Sequence, residues 1–238
     1  MNNWDEIDSQ VAGCRKCPRL VAWREQIAKE KRRAYREWTY WGKGVPGFGD
    51  RQARILVIGL APGAHGSNRT GRMFTGDASG EFLYASLFRS GFANQPVAIH
   101  RQDGLVLRDV YLSAACRCVP PDNKPEKGEI ENCRCYLLAE IRLLSPVEGV
   151  VALGKIAFDQ ALSIYQKNPE IFGASASELV SQLAPVFAHG AFYRLGDRLP
   201  WLLASYHPSR QNTQTGRLTI PMFDAIWQQC RALLSEGH

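Results

Sequence analysis

The chain has 238 residues, of which 45% are hydrophobic and 22% are charged, and its net charge at pH 7 is +6. This composition excludes a disordered chain, and no apolar run approaches the ~20 residues that a membrane-spanning helix needs. The positive charge fits a polyanionic partner such as nucleic acid, and it equally fits a merely basic enzyme, so charge alone does not decide between them.

The N-terminal region combines a cysteine pair with a basic, helix-like segment. Residues 1–18 are interpreted as a short helix or loop that ends at the Cys-x-x-Cys pair of Cys14 and Cys17. From residue 19 to residue 38, apolar side chains recur at helical spacing, which predicts one amphipathic helix. Arg24 belongs to the charged face of that predicted helix, and we therefore expect it to face solvent.

Short apolar runs alternate with helical patterns along the rest of the chain, after a Gly/Pro-rich loop at residues 42–49. The predicted strands are Ile55–Ile58, Asp109–Ala114, Gly149–Leu153, Ala191–Leu195 and Trp201–Ala204. The predicted helices are Gly80–Ser90, Glu126–Leu144, Lys155–Tyr165, Ala174–Leu183 and Pro221–Leu234. Such alternation predicts a largely parallel sheet with helices on both faces. No repeat or linker is evident, so we expect a single domain over residues 1–238.

Two polar segments directly follow predicted strands. Residues 59–77 form a loop rich in Gly, Asn, Arg and Thr, and residues 205–210 contain His207 followed by Pro208. In an open α/β sheet, ligands bind in the loops that leave the carboxyl ends of the strands. The two segments therefore predict a pocket for a polar, planar ligand attached to phosphates.

Six of the seven cysteines occur as three closely spaced pairs, and the odd total argues against a disulfide framework. Cys-x-x-Cys places two thiolates on one turn, and the region 116–135 supplies a second pair from far along the chain. Four thiolates suit either a structural zinc ion or a [4Fe–4S] cluster. Spacing does not decide between Cys116 and Cys118, or between Cys133 and Cys135, as ligands. For Cys230 we expect a buried free thiol.

Several motifs that run in order across the chain resemble those of the type-5 uracil-DNA glycosylases and, beyond them, of the iron–sulfur type-4 enzymes. They are Cys14-x-x-Cys17-Pro18-Arg19-Leu20, Thr39-Tyr40-Trp41-Gly42, the segments 45–50, 59–62, 68–77 and 117–121, and His207-Pro208-Ser209-Arg210-Gln211-Asn212-Thr213. Leu60 points to type 5, because type-4 enzymes carry Glu at that place.

This resemblance implies a fold, a cofactor and a reaction. The fold is a three-layer α/β/α sandwich around a short, mainly parallel sheet. The cofactor is a [4Fe–4S] cluster held by Cys14, Cys17, Cys118 and Cys133. The reaction is hydrolytic excision of uracil from DNA in base excision repair, extended to other deaminated bases such as hypoxanthine and xanthine. With no targeting or membrane segment evident, we expect a cytoplasmic monomer that associates with the nucleoid through DNA.

The chemistry of base excision assigns roles to individual side chains. His207 is the expected donor to the base carbonyl that gathers negative charge, and Asn68 and Asp77 are the candidates for positioning the attacking water. By analogy with type-4 enzymes, Phe74 stacks on the flipped base. The other expected substrate-binding residues are Gly59, Leu60, Ala61, Pro62 and Gly63 in the first loop, then Ala114, Ser209 and Arg210. Ala114 stands where type-4 enzymes carry an Asn that reads the uracil edge, which favours a broader substrate range.

The basic side chains near these loops are candidates for gripping DNA phosphates, and one rival function stays open. Arg69, Arg72, Arg210 and Arg217 are the candidate phosphate ligands. The rival function is a non-catalytic iron–sulfur or zinc DNA-binding module, which is favoured only by the absence of an acid in the first motif. An electron-transfer protein is disfavoured, because it leaves the two motif loops unexplained.

Overall fold

The computed structural model describes residues 1, 3–144, 147–175 and 184–235. The strands are β1 Phe48–Gly49, β2 Ile55–Gly59, β3 Val110–Ala114, β4 Gly149–Leu153, β5 Phe192–Tyr193 and β6 Trp201–Ser205. The α-helices are α1 Trp4–Gly13, α2 Pro18–Glu30, α3 Ser67–Thr70, α4 Ala78–Arg89, α5 Lys127–Leu143, α6 Lys155–Lys167, α7 Arg210–Gln214 and α8 Ile220–Ser235. Turns of 3-10 helix lie at Arg33–Tyr35, Pro121–Asn123 and Pro169–Phe172.

The strands form one mainly parallel sheet in the order β1-β3-β2-β4-β6-β5. The four central strands pair in parallel, and the two-residue strands β1 and β5 pair antiparallel at the edges. The predicted parallel sheet is therefore confirmed. Strand β1 lies inside the segment predicted as a loop, and β5 is shorter than the predicted strand. Both are edge strands too short to carry a periodic pattern.

Hydrophobic cores lie on both faces of this sheet, because successive side chains of a strand point to opposite faces. Ile55 and Val57 of β2 face one core, in which they pack with side chains of α4 and α8. Leu56 and Ile58 face the other core, together with side chains of α5 and α6. Each such buried Ile or Leu contributes roughly 1.5–3 kcal/mol. The two cores confirm the three-layer α/β/α architecture.

The predicted continuous helix over residues 19–38 is wrong. Helix α2 ends at Glu30 because Lys31 has a positive φ of 54°, which an α-helix does not accommodate. The prediction that Arg24 faces solvent is also wrong, since this side chain is only 2% exposed. Leu20, Val21 and Arg24 form the buried face of α2.

Two expectations lie at the limits of the described residues. The predicted helix at residues 174–183 lies almost wholly on residues 176–183, outside the described ranges, and stays a prediction, as does the single-domain assignment. Within the described ranges, no helix combines the length and apolar character needed to cross a membrane.

Candidate active site and cysteine cluster

A cavity of about 580 Å³ opens at the carboxyl ends of β2, β3 and β6. This is the position at which open α/β sheets bind ligands. Ten of the sequence-predicted residues line it, namely Gly59, Leu60, Ala61, Gly63, Phe74, Asp77, Ala114, His207, Ser209 and Arg210. Pro62 and Asn68 are not among the described residues that line the cavity.

Phe74 is held in place by close approaches of the backbone. Its own backbone lies in the left-handed region, with φ at 51°, a conformation that costs a non-glycine residue about 1–2 kcal/mol. A Cβ at Gly59 would lie 2.8 Å from Phe74 Cζ, and a Cβ at Gly80 would collide with the Phe74 carbonyl oxygen. The neighbouring Met73 carbonyl accepts a 2.7 Å hydrogen bond from the buried Tyr84 hydroxyl. The surrounding structure thus fixes the Phe74 ring against the cavity floor.

His207 leaves the end of β6 and faces this ring. The two ring centroids lie 6.0 Å apart with their planes inclined at 31°. The His207 carbonyl accepts a 2.9 Å hydrogen bond from Asn212 Nδ2, which holds the loop. Removal of the imidazole from water lowers the pKa of His207 to about 4. The side chain is therefore neutral near pH 7, with one ring N–H available to donate into the cavity.

Asp77 reaches the cavity from the N-terminus of α4. Its Oδ1 accepts a 3.0 Å hydrogen bond from the Gly80 N–H, so it caps the helix. Its Oδ2 packs against Gly63 and Gly66, where a Cβ would leave no room for the carboxylate. Burial raises the pKa of Asp77, and backbone hydrogen bonds from Gly80 and Ser79 oppose that rise. Asp77 is thus both a helix cap and a carboxylate with increased basicity in the cavity wall.

Asn68 lies behind the cavity rather than in it. The side chain is fully buried, and its Nδ2 donates a 3.3 Å hydrogen bond to the Arg24 carbonyl of α2. Its own carbonyl accepts a 3.0 Å hydrogen bond from the Gly42 N–H. This position connects the first motif loop to α2 and does not place the amide beside a bound base.

The cavity residues that were not predicted from the sequence include Arg32, Asp122 and Asn123. Arg32 reaches the rim because the helix stops at Glu30, which the helical periodicity did not show. Asp122 and Asn123 have φ values of 52° and 56°. Asp and Asn tolerate the left-handed region, so the Pro-Pro-Asp-Asn sequence carried a signal for this turn.

The predicted phosphate ligands divide into internal and accessible arginines. Arg69 is 3% exposed, and its guanidinium carbon lies 3.9 Å from the ring centroid of Tyr35 and 4.1 Å from that of Trp38. Arg72 is 4% exposed and forms a bidentate ion pair with Asp103 at 2.7 Å. The prediction that these two arginines bind DNA phosphates is wrong, because both guanidinium groups are buried and contact side chains inside the protein.

The accessible cations lie around a second cavity of about 290 Å³ that adjoins the first. The two cavities share five lining residues, which are Arg32, Asp77, Ala78, Asn123 and Arg210. Arg32 and Arg210 are exposed, and neither forms an ion pair with a described residue. Arg217 is also exposed, but its guanidinium lies over the Tyr206 ring at 4.6 Å.

Cysteines from three chain segments gather behind the first motif loop. Cys17, Cys116, Cys118 and Cys133 are buried in one cluster, and Ala61 packs against it from the cavity loop. Cys14 is half-buried and packs, with Cys135, against a separate group of Ile7, Val11, Tyr136 and Ala139. Three of the four predicted ligands, Cys17, Cys118 and Cys133, are thus brought together, and Arg24 connects Cys118 to the Cys14 carbonyl.

The other cysteines differ in position. Cys116 lies within the same cluster and shares a hydrogen bond with Cys133 that lowers the pKa of Cys133. Cys135 is half-buried. Its Sγ accepts a hydrogen bond from Lys16 Nζ and donates one to the Asn132 carbonyl, both at 3.5 Å. Cys116 therefore stays an alternative ligand by position, whereas Cys135 packs, like Cys14, against side chains of α1 and α5. Cys230 is fully buried in the core, as expected.

Hydrogen-bond donors near the cysteine cluster suit the thiolate ligands of an iron–sulfur group. As the side chains stand, no three His, Cys, Asp or Glu groups of the described residues surround a single metal position. However, donors already point at the sulfur atoms: Asn132 Nδ2 lies 3.4 Å from Cys17 Sγ and the Arg117 N–H 3.5 Å from Cys133 Sγ. Arg24 Nη1 lies 2.9 Å from Cys118 Sγ. Donors aimed at sulfur suit thiolates, which are the ligands of such clusters.

Comparison with known proteins agrees with this geometry. The family model described as the uracil DNA glycosylase superfamily matches residues 46–231. The type-5 uracil-DNA glycosylase of Thermus thermophilus is 51% identical over 224 residues, which cover 94% of each chain. The type-5 enzyme of Mycobacterium leprae is 46% identical over 231 residues, covering 96% of this chain and 94% of the relative.

A type-4 enzyme is a more distant relative. The type-4 uracil-DNA glycosylase of Pyrobaculum aerophilum is 30% identical over 135 residues, covering 56% of this chain and 61% of the relative. The type-5 similarity is both higher and nearly complete along the chain. The chain therefore belongs to the uracil-DNA glycosylase superfamily and, within it, to the type-5 uracil-DNA glycosylases.

Proposed function

We propose that this chain excises uracil from DNA by hydrolysis of the N-glycosidic bond, and that it also accepts other deaminated bases such as hypoxanthine and xanthine. The observation that carries the proposal is the neutral His207 facing the fixed Phe74 ring across the cavity. A base held against Phe74 lies beside a donor that can stabilise negative charge.

The size and lining of the cavity support the broader base range. Its volume of about 580 Å³ lies within the span of about 300–1,000 Å³ that is usual for small-molecule pockets. Ala114 contributes only a methyl group at the end of β3, and Gly59 and Gly63 contribute no side chain. At these three positions, therefore, no polar side chain is present to select uracil over a larger purine.

Base excision begins with extrusion of the nucleotide, which costs a few kcal/mol in stacking and pairing. Contacts to the flanking phosphates offset part of that cost. Arg32 and Arg210 are exposed, form no ion pair with described residues, and lie where the two adjoining cavities meet. They are the side chains best placed to grip the DNA backbone while the base enters the cavity.

Cleavage of the glycosidic bond then leaves negative charge on the base and positive charge on the sugar. The neutral His207 donates a hydrogen bond from its ring N–H to the base carbonyl. One such donor typically contributes a factor of about 10²–10³ in rate. The Asp77 carboxylate accepts a proton from the attacking water or stabilises the cationic sugar, and its raised pKa favours the first of these roles. Asn68 takes no part at the reacting atoms in this mechanism, because it lies behind the cavity.

We further propose that Cys14, Cys17, Cys118 and Cys133 hold a [4Fe–4S] cluster. These residues would thereby connect the N-terminal segment to the loop after β3 and to α5. Ala61 packs against the group that contains Cys17, Cys118 and Cys133, so a bound cluster would support the loop that forms the cavity floor. No step of the excision passes through it.

A second candidate function is a DNA-binding module without catalysis. It is favoured by Leu60 and Ala61, which place no acid in the first motif although both line the cavity. The carboxylate of Asp77 in the same cavity wall argues against it.

One assay separates the two functions. Anaerobically purified protein is incubated with labelled duplexes that carry one uracil, hypoxanthine or xanthine, and abasic sites are then cleaved with alkali. We expect strand cleavage at each lesion, and a loss of about 10²–10³ in kcat for His207→Ala but not for the exposed control His100→Ala. Wild-type protein that binds DNA without cleaving any lesion would instead establish the binding module.

A further inference from the structure

Arg24 is a buried cation without a carboxylate partner. The side chain is 2% exposed, and no described Asp or Glu forms an ion pair with it. By contrast, the equally buried Arg117 is paired with the fully buried Glu140. The group that compensates the positive charge of Arg24 must therefore be among its other contacts.

Those contacts lead to the cysteine cluster. Arg24 Nη1 donates to Cys118 Sγ at 2.9 Å, and Nη2 donates to the Cys14 carbonyl at 2.8 Å. Nε is buried and has no hydrogen-bond partner among the described residues. The guanidinium thus contacts two of the four proposed cluster ligands, one through its sulfur and one through its backbone.

Neutral thiols do not compensate a buried cation. Burial of a charge is unfavourable unless an opposite charge or strong acceptors accompany it, and a thiol is a weak acceptor. Cysteines that ligate a metal are thiolates, so a bound cluster with its ligands carries net negative charge at this place. The buried Arg24 is consistent with an anionic sulfur site and poorly explained by a group of protonated cysteines.

We propose that Arg24 is the counter-charge of the cluster: it stabilises the ligand set that contains Cys14 and Cys118 and raises the reduction potential of the bound [4Fe–4S] group. This rests on the cofactor named in the proposed function. The potential of such clusters depends on net charge and on hydrogen bonds to sulfur, and a positive charge in contact with a ligand stabilises the reduced, more negative form.

The backbone of the same residue faces the base cavity. The Arg24 carbonyl accepts the hydrogen bond from Asn68, which belongs to the first motif loop. Helix α2 therefore contacts the cluster through the Arg24 side chain and the motif loop through the Arg24 backbone. A side-chain substitution at Arg24 removes the guanidinium but keeps this carbonyl. Its effect on the cluster can therefore be measured without loss of the hydrogen bond to the motif loop.

The test compares three variants of the full chain purified without oxygen. Arg24→Gln removes the charge but keeps an N–H donor, Arg24→Lys keeps the charge, and Lys29→Gln removes a charge from the exposed face of the same helix. The readouts are iron and sulfide content per chain and the midpoint potential from a redox titration followed by electron paramagnetic resonance.

At the wild-type midpoint, we expect the ratio of reduced to oxidised cluster to fall at least tenfold in Arg24→Gln, which is about 59 mV for a one-electron couple. The midpoint potential of Arg24→Lys should lie between those of wild type and Arg24→Gln, and the midpoint potential of Lys29→Gln should match that of wild type. An unchanged potential in an iron-loaded Arg24→Gln would overturn the inference.

The remaining outcomes are also decisive. If Arg24→Gln fails to hold iron, retention of iron by Arg24→Lys supports the counter-charge, whereas equal loss from both variants overturns it in favour of a purely steric role. Wild-type protein that holds no iron in oxygen-free preparation contradicts the proposed cofactor itself, and the inference with it. The glycosylase assay on the same samples then reports on the proposed activity separately.

Discussion

Phe74 and His207 face each other across the candidate active site, with ring centroids 6.0 Å apart. The two residues are far apart in the chain, one in the loop after β2 and the other in the loop after β6. Parallel strands bring both loops to the same edge of the sheet. The aromatic surface and the neutral donor that base excision needs are therefore provided by topology rather than by proximity in sequence.

The lowered pKa of His207 predicts a pH dependence of stability. The value falls from about 6.5 in the unfolded chain to about 4 in the folded protein, so the unfolded state binds more protons between these values. Relative to the neutral variant His207→Gln, wild-type protein should lose free energy of unfolding as the pH falls from 6.5 to 4, by at most about 3 kcal/mol. Urea unfolding of both proteins across this range measures it. A difference that does not change with pH would contradict the burial of a neutral His207.

Gly59 is predicted to control the position of Phe74. A Cβ at Gly59 would come within 2.8 Å of the ring, so Gly59→Ala should displace Phe74 and lower kcat/KM for uracil excision at least about tenfold. The control is Gly128→Ala in α5, where a Cβ meets nothing within 4 Å. Steady-state kinetics of both variants give the comparison. Wild-type kinetics in Gly59→Ala would show that the ring position is unimportant.

Ala114 is predicted to set the breadth of the substrate range. Ala114→Asn places an amide at the end of β3 in the cavity wall, where it can pair with the uracil edge. We expect the ratio of kcat/KM for uracil over hypoxanthine to rise about tenfold or more, since unpaired polar groups penalise the wrong base. Ala114→Leu, which has a similar outline without the amide, should lower excision of both bases. An equal rise in the ratio for the Leu variant would assign the effect to size alone.

Arg32 and Arg210 are predicted to contact DNA phosphates. Each phosphate contact adds about 0.9 to the slope of log K against log salt for duplex DNA, so Arg32→Gln and Arg210→Gln should each reduce that slope by about this amount. Arg36→Gln is the matched control, because Arg36 is exposed nearby but lines neither cavity. Fluorescence titrations of a labelled duplex at several salt concentrations measure the slope. Equal slopes for all three variants would contradict the proposed phosphate contacts of Arg32 and Arg210.

Local patterns in the sequence were sufficient to predict most of the strands and helices of the fold. The apolar runs at β2, β4 and β6 are continuous because parallel strands are buried on both faces, and this is why they were recognisable. The helices α5 and α8 differ from their predicted bounds by one residue at each end. The edge strand β1 was missed, and β5 was predicted too long, because two residues carry no periodicity.

Tertiary structure decided which polar side chains reach the cavity. Arg69 and Arg72 resemble DNA-binding arginines in the sequence, but partners distant along the chain, the Tyr35 and Trp38 rings and Asp103, bury them. Asn68 belongs to a motif yet is turned toward α2.

By itself, the sequence determined the parallel sheet, the two loops at its carboxyl edge and the membership of the chain in its family, because each depends on residues close together in the chain. The roles of Arg24, Arg32 and Asn68 depended on contacts between distant segments. Charge and polarity are local properties of a residue, whereas its burial and its partners arise only when the chain is folded.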